Sequence, residues 1–408
     1  MQNYEFAPEY DPILDHLRPR MTGNIIVTLH EGATPSMAID ALSNMGGDVA
    51  VTTLGDNAQL RLRADINTTV FFEDIGVAFL KPAKVEGAAS IMASLEQDEA
   101  VLDARPEFYF FALQEFRDTS DSTWGVGATG ALQSPYTGKG VRIAILDTGI
   151  DLNHPDFQGK RIVAQSFVYG ETVDDLQGHG THCAGTAAAR SNSPGVPRYG
   201  VAPNADLYVG KVLNNSGYGT EEDILAGMEW AIAERCDVIS MSLGSPVQPR
   251  MHFSEVYERV AREGLEKGTL ILAAAGNDSR RAFGAIAPVS SPANTPSIIS
   301  VGAVDPMYGP APFSNGGINP GGGELDIVAP GVGVFSSAPY PQHYRIMDGT
   351  SMACPHAAGV AALWAETDPK LRGTKLRDTL IKNLRALPYN VRDVGRGLVR
   401  APLGRRSV

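Results

Sequence analysis

The stretch VRIAILDTGID, residues 141–151, decides how most of this chain is read. After Arg142 it runs apolar to Leu146, then stops on Asp147, a threonine and a glycine. Three runs of the same kind follow: ADLYVGKVL (205–213), DVISMSL (237–243) and TLILAAA (269–275). Segments of helical spacing, 221–235 and 254–267, lie between them. Apolar, β-branched strands alternating with helices predict a parallel sheet with helices on both faces. Ligands of such sheets collect at the carboxyl ends of the strands. That rule directs attention to what each run ends on.

Asp147 ends the first run, and Asn277 closes AAAGN (273–277) after the last. His179 lies in GHGTHCAGTAAA (178–189) and Ser351 in DGTSMACPHAAGVAALW (348–364), each at the head of a small-residue helix. A serine hydroxyl needs an adjacent base to become a nucleophile. A neutral imidazole can be that base, and a buried carboxylate can fix its tautomer. A side-chain amide with a backbone N–H can hold the negative charge of a tetrahedral intermediate. Singly, each cluster has an ordinary explanation. A strand-end Asp is commonly a turn or cap residue, and GTS before a helix is commonly an N-cap. His179 and His182 could be a metal pair, although their i,i+3 spacing has no carboxylate beside it.

The order Asp, His, Ser with these flanks resembles the subtilisin-like serine proteases, the subtilases. DTGIDLNHPDF, GHGTHCAGT, AAAGN and GTSMACPHAAGVAAL carry the resemblance. It continues through GVAPNADLYVGKVL, SMSLG, TPSIISVGAVD, LDIVAPG and GRGLVRA, covering roughly residues 124–401. The resemblance implies a three-layer α/β fold with a mainly parallel central sheet. It implies a serine endopeptidase in which Asp147 orients the base, His179 is the general base, Ser351 the nucleophile and Asn277 the oxyanion donor. His182 is not expected to react. Ser242, Leu243 and Gly244 would pair with substrate backbone on one side, and Gly217 and Gly219 on the other, where glycine leaves room for a peptide. Asp278 would line the rim of the pocket for the residue before the cut. Glu221 would wall a more distal one, although acids at a helix start are also ordinary. A structural calcium site is implied as well, with side-chain oxygens from Asp156 and Asn192 and carbonyls from Arg190, Pro194 and Val196. Hard oxygen donors on a loop suit that ion. The loop is longer than the family pattern after Val196, and a metal-free turn is the alternative.

The front of the chain reads differently. Residues 1–23 form a polar, proline-punctuated arm. NIIVTL (24–29) predicts a strand, PSMAIDALSNM (35–45) and VEGAASIMASLEQ (85–97) predict helices, and VLDARPEFYFFAL (101–113) predicts a final strand or tail. Stretches near 49–53 and 58–63 suggest a hairpin turned at Gly55-Asp56-Asn57. Two helices on one face of a small antiparallel sheet is the economical α+β, ferredoxin-like arrangement. By layout and position, residues 24–113 resemble a subtilase propeptide, an intramolecular chaperone and inhibitor, ahead of a catalytic domain at 114–408. That resemblance implies a zymogen that cuts itself near Leu113, with Phe116 the next candidate.

Charge divides the same way. Residues 1–113 hold 7 Lys/Arg and 17 Asp/Glu, net −10; the rest hold 27 and 29, net −2. An anionic surface is a poor phosphate-backbone binder, so nucleic acid is not an expected partner and polypeptide is. No apolar run reaches the ~18 residues a bilayer crossing needs. Three cysteines are no disulfide framework, and MQNYEFAPEYDPILDHLRPR lacks the basic and apolar regions of a signal peptide, so a reducing, cytoplasmic setting is expected. Two rivals to hydrolysis share the fold: an acyl-transferring ligase or macrocyclase, for which the glycine-rich stretch 315–323 is too short a lid to exclude water, and a silent binding module, against which the presence of Asp147, His179, Ser351 and Asn277 argues.

Overall fold

The computed structural model describes residues 21–30, 32–43, 49–52, 69–80, 88–108, 117–248 and 250–403. The arm up to residue 20, the turn at Gly55-Asp56-Asn57 and the expected junction at Leu113 to Phe116 lie outside these residues. The chain divides into two compact units, residues 1–113 and 114–408.

The first unit contains β1 (Met21–Leu29), α1 (Pro35–Ser43), β2 (Val49–Thr52), β3 (Thr69–Phe72), β4 (Val77–Leu80), α2 (Ala88–Leu95) and β5 (Val101–Phe108). Its sheet has the order β2-β3-β4-β1-β5. Alternate residues Ile25, Val27 and Leu29 of β1 point inward and meet Ala41 and Leu42 of α1 and Leu95 of α2. A period of two on the strand thus supplies one core face, and both helices cover it. One expectation is corrected. β2 runs parallel to β3, so this sheet is mixed rather than antiparallel. Parallel neighbours cannot be joined by a tight hairpin, and here residues 53–68 separate them.

The second unit begins with α3 (Trp124–Ala128), β6 (Arg142–Asp147), β7 (Ile162–Ser166), α4 (His179–Ala188), β8 (Asp206–Lys211) and α5 (Glu221–Ala233). It continues with β9 (Val238–Met241), α6 (Glu255–Lys267), β10 (Leu270–Ala274), β11 (Ile299–Val304) and β12 (Ile327–Pro330). The hairpin β13 (Val334–Ser337) and β14 (Tyr344–Met347) precedes α7 (Thr350–Thr367), α8 (Thr374–Lys382) and α9 (Val391–Val394). The main sheet has seven strands in the order β12-β11-β10-β9-β6-β8-β7, and every neighbouring pair is parallel.

The pleat distributes β6 between two helical layers. Ile143 and Ile145 join one core with Cys183, Ala184 and Ala187 of α4 and Ala357, Ala358 and Ala361 of α7. Leu146 points the other way, toward Gly227 of α5. Strands buried on both faces therefore carry no polar alternation, as the sequence shows. α7 is buried on nearly all sides, which accounts for its apolar residues all round. Small side chains also set its distance: a Cβ on Gly359 would lie 2.6 Å from Val201. β6 lies between β8 and β9, where the strand order reverses, and its carboxyl end opens there.

Candidate active site

Asp147 is the last residue of β6 and is fully buried. His179 opens α4 behind Gly178, which takes φ +97 and a left-handed turn that glycine accommodates without strain. Its Nδ1 lies 2.7 Å from Asp147 Oδ1. The same oxygen accepts the Thr148 N–H at 2.8 Å. Among the described residues no donor reaches Asp147 Oδ2. Burial by itself would lower the His179 pKa, but the Asp147 carboxylate outweighs it and holds the value well above 6.5. An anion that stabilises the imidazolium is what a proton-accepting histidine requires.

Ser351 lies in the first turn of α7, where unpaired N–H groups concentrate positive potential. Its hydroxyl is 3.4 Å from the Ser242 carbonyl, and its own carbonyl accepts from Ser242 Oγ at 2.7 Å. Asn277 follows β10 across the cleft. Its Oδ1 accepts the Thr350 N–H and Oγ1–H, both at 2.9 Å. Two donors on the oxygen settle the amide orientation, so the Nδ2 group is presented as a donor.

His179, Ser351 and Asn277 line one cleft of about 620 Å³ with Gly217, Gly219, Ser242, Leu243, Gly244, Asp278 and Glu221. Every residue expected to touch substrate is thus brought to one place. Local geometry gives both glycines a reason besides room for a peptide. Gly217 takes φ +83 in a turn from Asn214 to Tyr218, and a Cβ on Gly219 would lie 2.2 Å from the Val212 carbonyl. The left-handed backbone of Gly217 and the close packing of Gly219 each disfavour a side chain. Neither they nor Ser242–Gly244 belong to a strand, because β9 ends at Met241. Asp278 Oδ2 accepts from Asn315 Nδ2 at 2.9 Å. Glu221 is bonded by Tyr257, whose phenol is pushed up to about 12 by burial and then by that carboxylate. The helix cap there is Thr220, whose side chain accepts the Asp223 N–H.

His182, in the same turn as His179, is buried against backbone carbonyls. Burial and repulsion from His179 push its pKa down to about 3, and its Nε2 is 3.1 Å from Val334 O and 3.2 Å from Arg345 O. A neutral ring there pins the β13–β14 hairpin to α4. Cys183 packs behind the base, with Sγ 3.9 Å from His179 Nδ1, and burial raises its pKa. Asp147, His179 and Cys183 form the one metal-capable cluster among the described residues. The short Asp147–His179 contact and an unionised thiol leave it poorly suited to hold an ion.

Asp156, in the turn Pro155–Phe157, meets the expected calcium loop at Asn192, yet both side chains are turned to other partners. Asp156 Oδ1 accepts from Asn192 N–H at 2.7 Å and from Ser193 N–H and Oγ–H, both at 3.0 Å. Its Oδ2 accepts from Tyr199 Oη at 2.7 Å and Tyr344 Oη at 3.0 Å. Asn192 turns its Nδ2 inward to the Pro155 and Gln158 carbonyls. Five donors satisfy the carboxylate, and an ion would have to displace them. As they lie, the Asp156 and Asn192 side chains do not fit calcium. The segment after Val196, longer than the family pattern, is what delivers Tyr199.

A profile of the subtilase family matches residues 138–398. The chain belongs to the subtilase family. Subtilisin E of Bacillus subtilis (strain 168) is 43% identical over 247 residues, 60% of each chain, so the match spans less than two thirds of that relative. Subtilisin DY of Bacillus licheniformis is 43% identical over 60% of this chain and 84% of its own length. The M-protease of Shouchella clausii (strain KSM-K16) is 41% identical over 287 residues, 69% and 70% of the two chains. Among solved structures, Sphericase superposes with a TM-score of 0.59 at 32% identity, covering 72% of this chain and 100% of its own. A cold adapted subtilisin-like serine proteinase superposes with 0.56 at 30% identity, over 69% and 97%. In this subtilase three features went unread in the sequence: Asp175, the Tyr199–Tyr344 pair and buried Lys211. The DDLQ preceding GHGTH was the available signal for the first.

Proposed function

We propose that this subtilase hydrolyses peptide bonds of polypeptide substrates through an acyl-enzyme on Ser351. The 2.7 Å contact between buried Asp147 and His179, with His179 lining the cleft that also holds Ser351 and Asn277, carries the reading. Ser351 Oγ attacks the scissile carbonyl and His179 accepts its proton. Asp147 keeps the imidazole in the tautomer with its free nitrogen toward the serine and stabilises the cation formed. The oxyanion takes hydrogen bonds from Asn277 Nδ2 and the Ser351 N–H, with the α7 N-terminus behind them. His179 then protonates the leaving amine, and water repeats the sequence on the ester. Residues 24–113 act as the propeptide, cut near Leu113 by the same serine. Labelling with a fluorophosphonate tests the site directly: wild type is expected to be modified at Ser351 and Ser351→Ala to be inert. An unlabelled, folded wild type would mean that the cleft is a binding surface only.

A further inference from the structure

One buried acid beside the cleft has no part in the mechanism above. Asp175 is 2% exposed and lies four residues before His179 in the chain. Its Oδ1 accepts from Thr148 Oγ1 at 2.8 Å, Gly178 N–H at 2.7 Å and Gln177 N–H at 3.2 Å. Its Oδ2 accepts from Thr181 N–H at 2.8 Å and Thr181 Oγ1 at 2.6 Å. Five donors on a buried carboxylate offset its desolvation, since charge-assisted hydrogen bonds are the strong ones.

What those donors belong to matters more than their number. Gly178, Thr181 and Gln177 form the start of α4, which carries His179. Thr148 follows Asp147 and gives its N–H to that carboxylate. Thr148 Oγ1 also accepts the Gly180 N–H at 2.8 Å, and a Cβ on Gly180 would lie 2.3 Å from the Gly149 carbonyl. Buried Lys211 holds the Thr148 carbonyl from the other side at 2.5 Å. The turn after β6 and the first turn of α4 are therefore clamped together, with Asp175 as the shared acceptor. We propose that Asp175 is a positioning residue for the Asp147–His179 pair: through Thr148 and Thr181 its carboxylate sets the separation and aim of acid and base. The proposal rests on His179 being the general base.

The chemistry also explains why the residue is an acid. Each of its neighbours donates, with backbone N–H groups on both oxygens. An asparagine would turn its NH2 against one of them whichever way it pointed. Displacing catalytic groups by about 1 Å costs on the order of 10² in rate.

The test compares Asp175→Asn with wild type in the full chain, using a chromogenic peptide anilide, thermal melting and the deshielded imidazole Nδ1–H proton resonance. The expected result is a kcat lower by roughly 10²-fold with KM within about twofold, and loss or upfield movement of that resonance in a folded protein. A residue that only supported stability would move the melting point and leave kcat and the resonance alone, which would overturn the proposal. If Asp175→Asn does not fold, Thr181→Val removes one hydroxyl donor and is read the same way. An unchanged kcat and resonance there would overturn it equally. Wild type is labelled with fluorophosphonate alongside. Failure of that labelling would count against the hydrolase reading, while the resonance comparison would still report whether Asp175 sets the Asp147–His179 bond.

Discussion

Fixing an amide by its oxygen commits its nitrogen, and Asn277 is fixed in this way by Thr350. Asn277→Ala should lower kcat about 10²–10³-fold with little change in KM, a magnitude carried over from a subtilisin rather than derived for this chain. Steady-state kinetics on a soluble peptide would show it, and a loss confined to KM would place Asn277 in ground-state binding instead. In the proposed mechanism His179 must be unprotonated to accept the proton of Ser351. Because Asp147 holds its pKa well above 6.5, the acid limb of kcat/KM should lie above that pH, with activity rising toward alkaline conditions. Asp147→Asn should move the limb to lower pH, since burial is then opposed by less charge, and should lower kcat by about 10⁴-fold. A pH–rate profile of the two proteins checks the sign: an unmoved limb would mean that another group titrates.

Whole segments are held by single carboxylates in this molecule. Glu366 Oε2 takes the N–H groups of Thr137, Gly138 and Lys139, and Asp156 gathers the loop from Asn192 to Tyr199. With Asp156 satisfied, chelator should leave the melting temperature unchanged, and added calcium should not raise it. A chelator-dependent fall on thermal melting would show that a cation holds the loop instead. Tyr199→Phe should destabilise by about 1.5–3 kcal/mol, the worth of a hydrogen bond to a charged group. Burial would raise the Asp156 pKa, but the Tyr199, Ser193 and Tyr344 bonds outweigh it and hold the value below 3.8. The loop's grip is therefore complete above the ordinary carboxylate range and is lost as pH falls through the lowered value.

At the scale of the molecule, one sequence joins an acidic front unit to a nearly neutral second unit, and the proposed mechanism makes the first a propeptide of the second. Intact mass should show wild type splitting near residues 113–118 while Ser351→Ala stays whole. Full-length wild type after prolonged incubation would make the front unit a permanent accessory. Local sequence was enough for the second unit's layers, because strands buried on both faces and helices of small residues each leave a pattern within ten or so residues. VRIAIL, ADLYVGKVL, DVISMSL and TLILAAA were all legible as strands for that reason, and GHGTH and GTSMA as helix starts. Strand direction in the front sheet was not legible, because β2 and β3 pair across residues 53–68 and pairing leaves no mark on either strand alone. The same limit hid the rest. Asp156 was readable as a candidate ligand, but its phenol donors come from positions 199 and 344, and only folding brings those together. Sequence alone determined which residue types this chain devotes to chemistry and where the strands that carry them end. Tertiary structure alone decided that Asp147 meets His179, that Asp175 gathers Thr148 and Thr181, and that Asp156 is bonded by Tyr199 and Tyr344, because hydrogen-bond partners distant in the chain are chosen by packing.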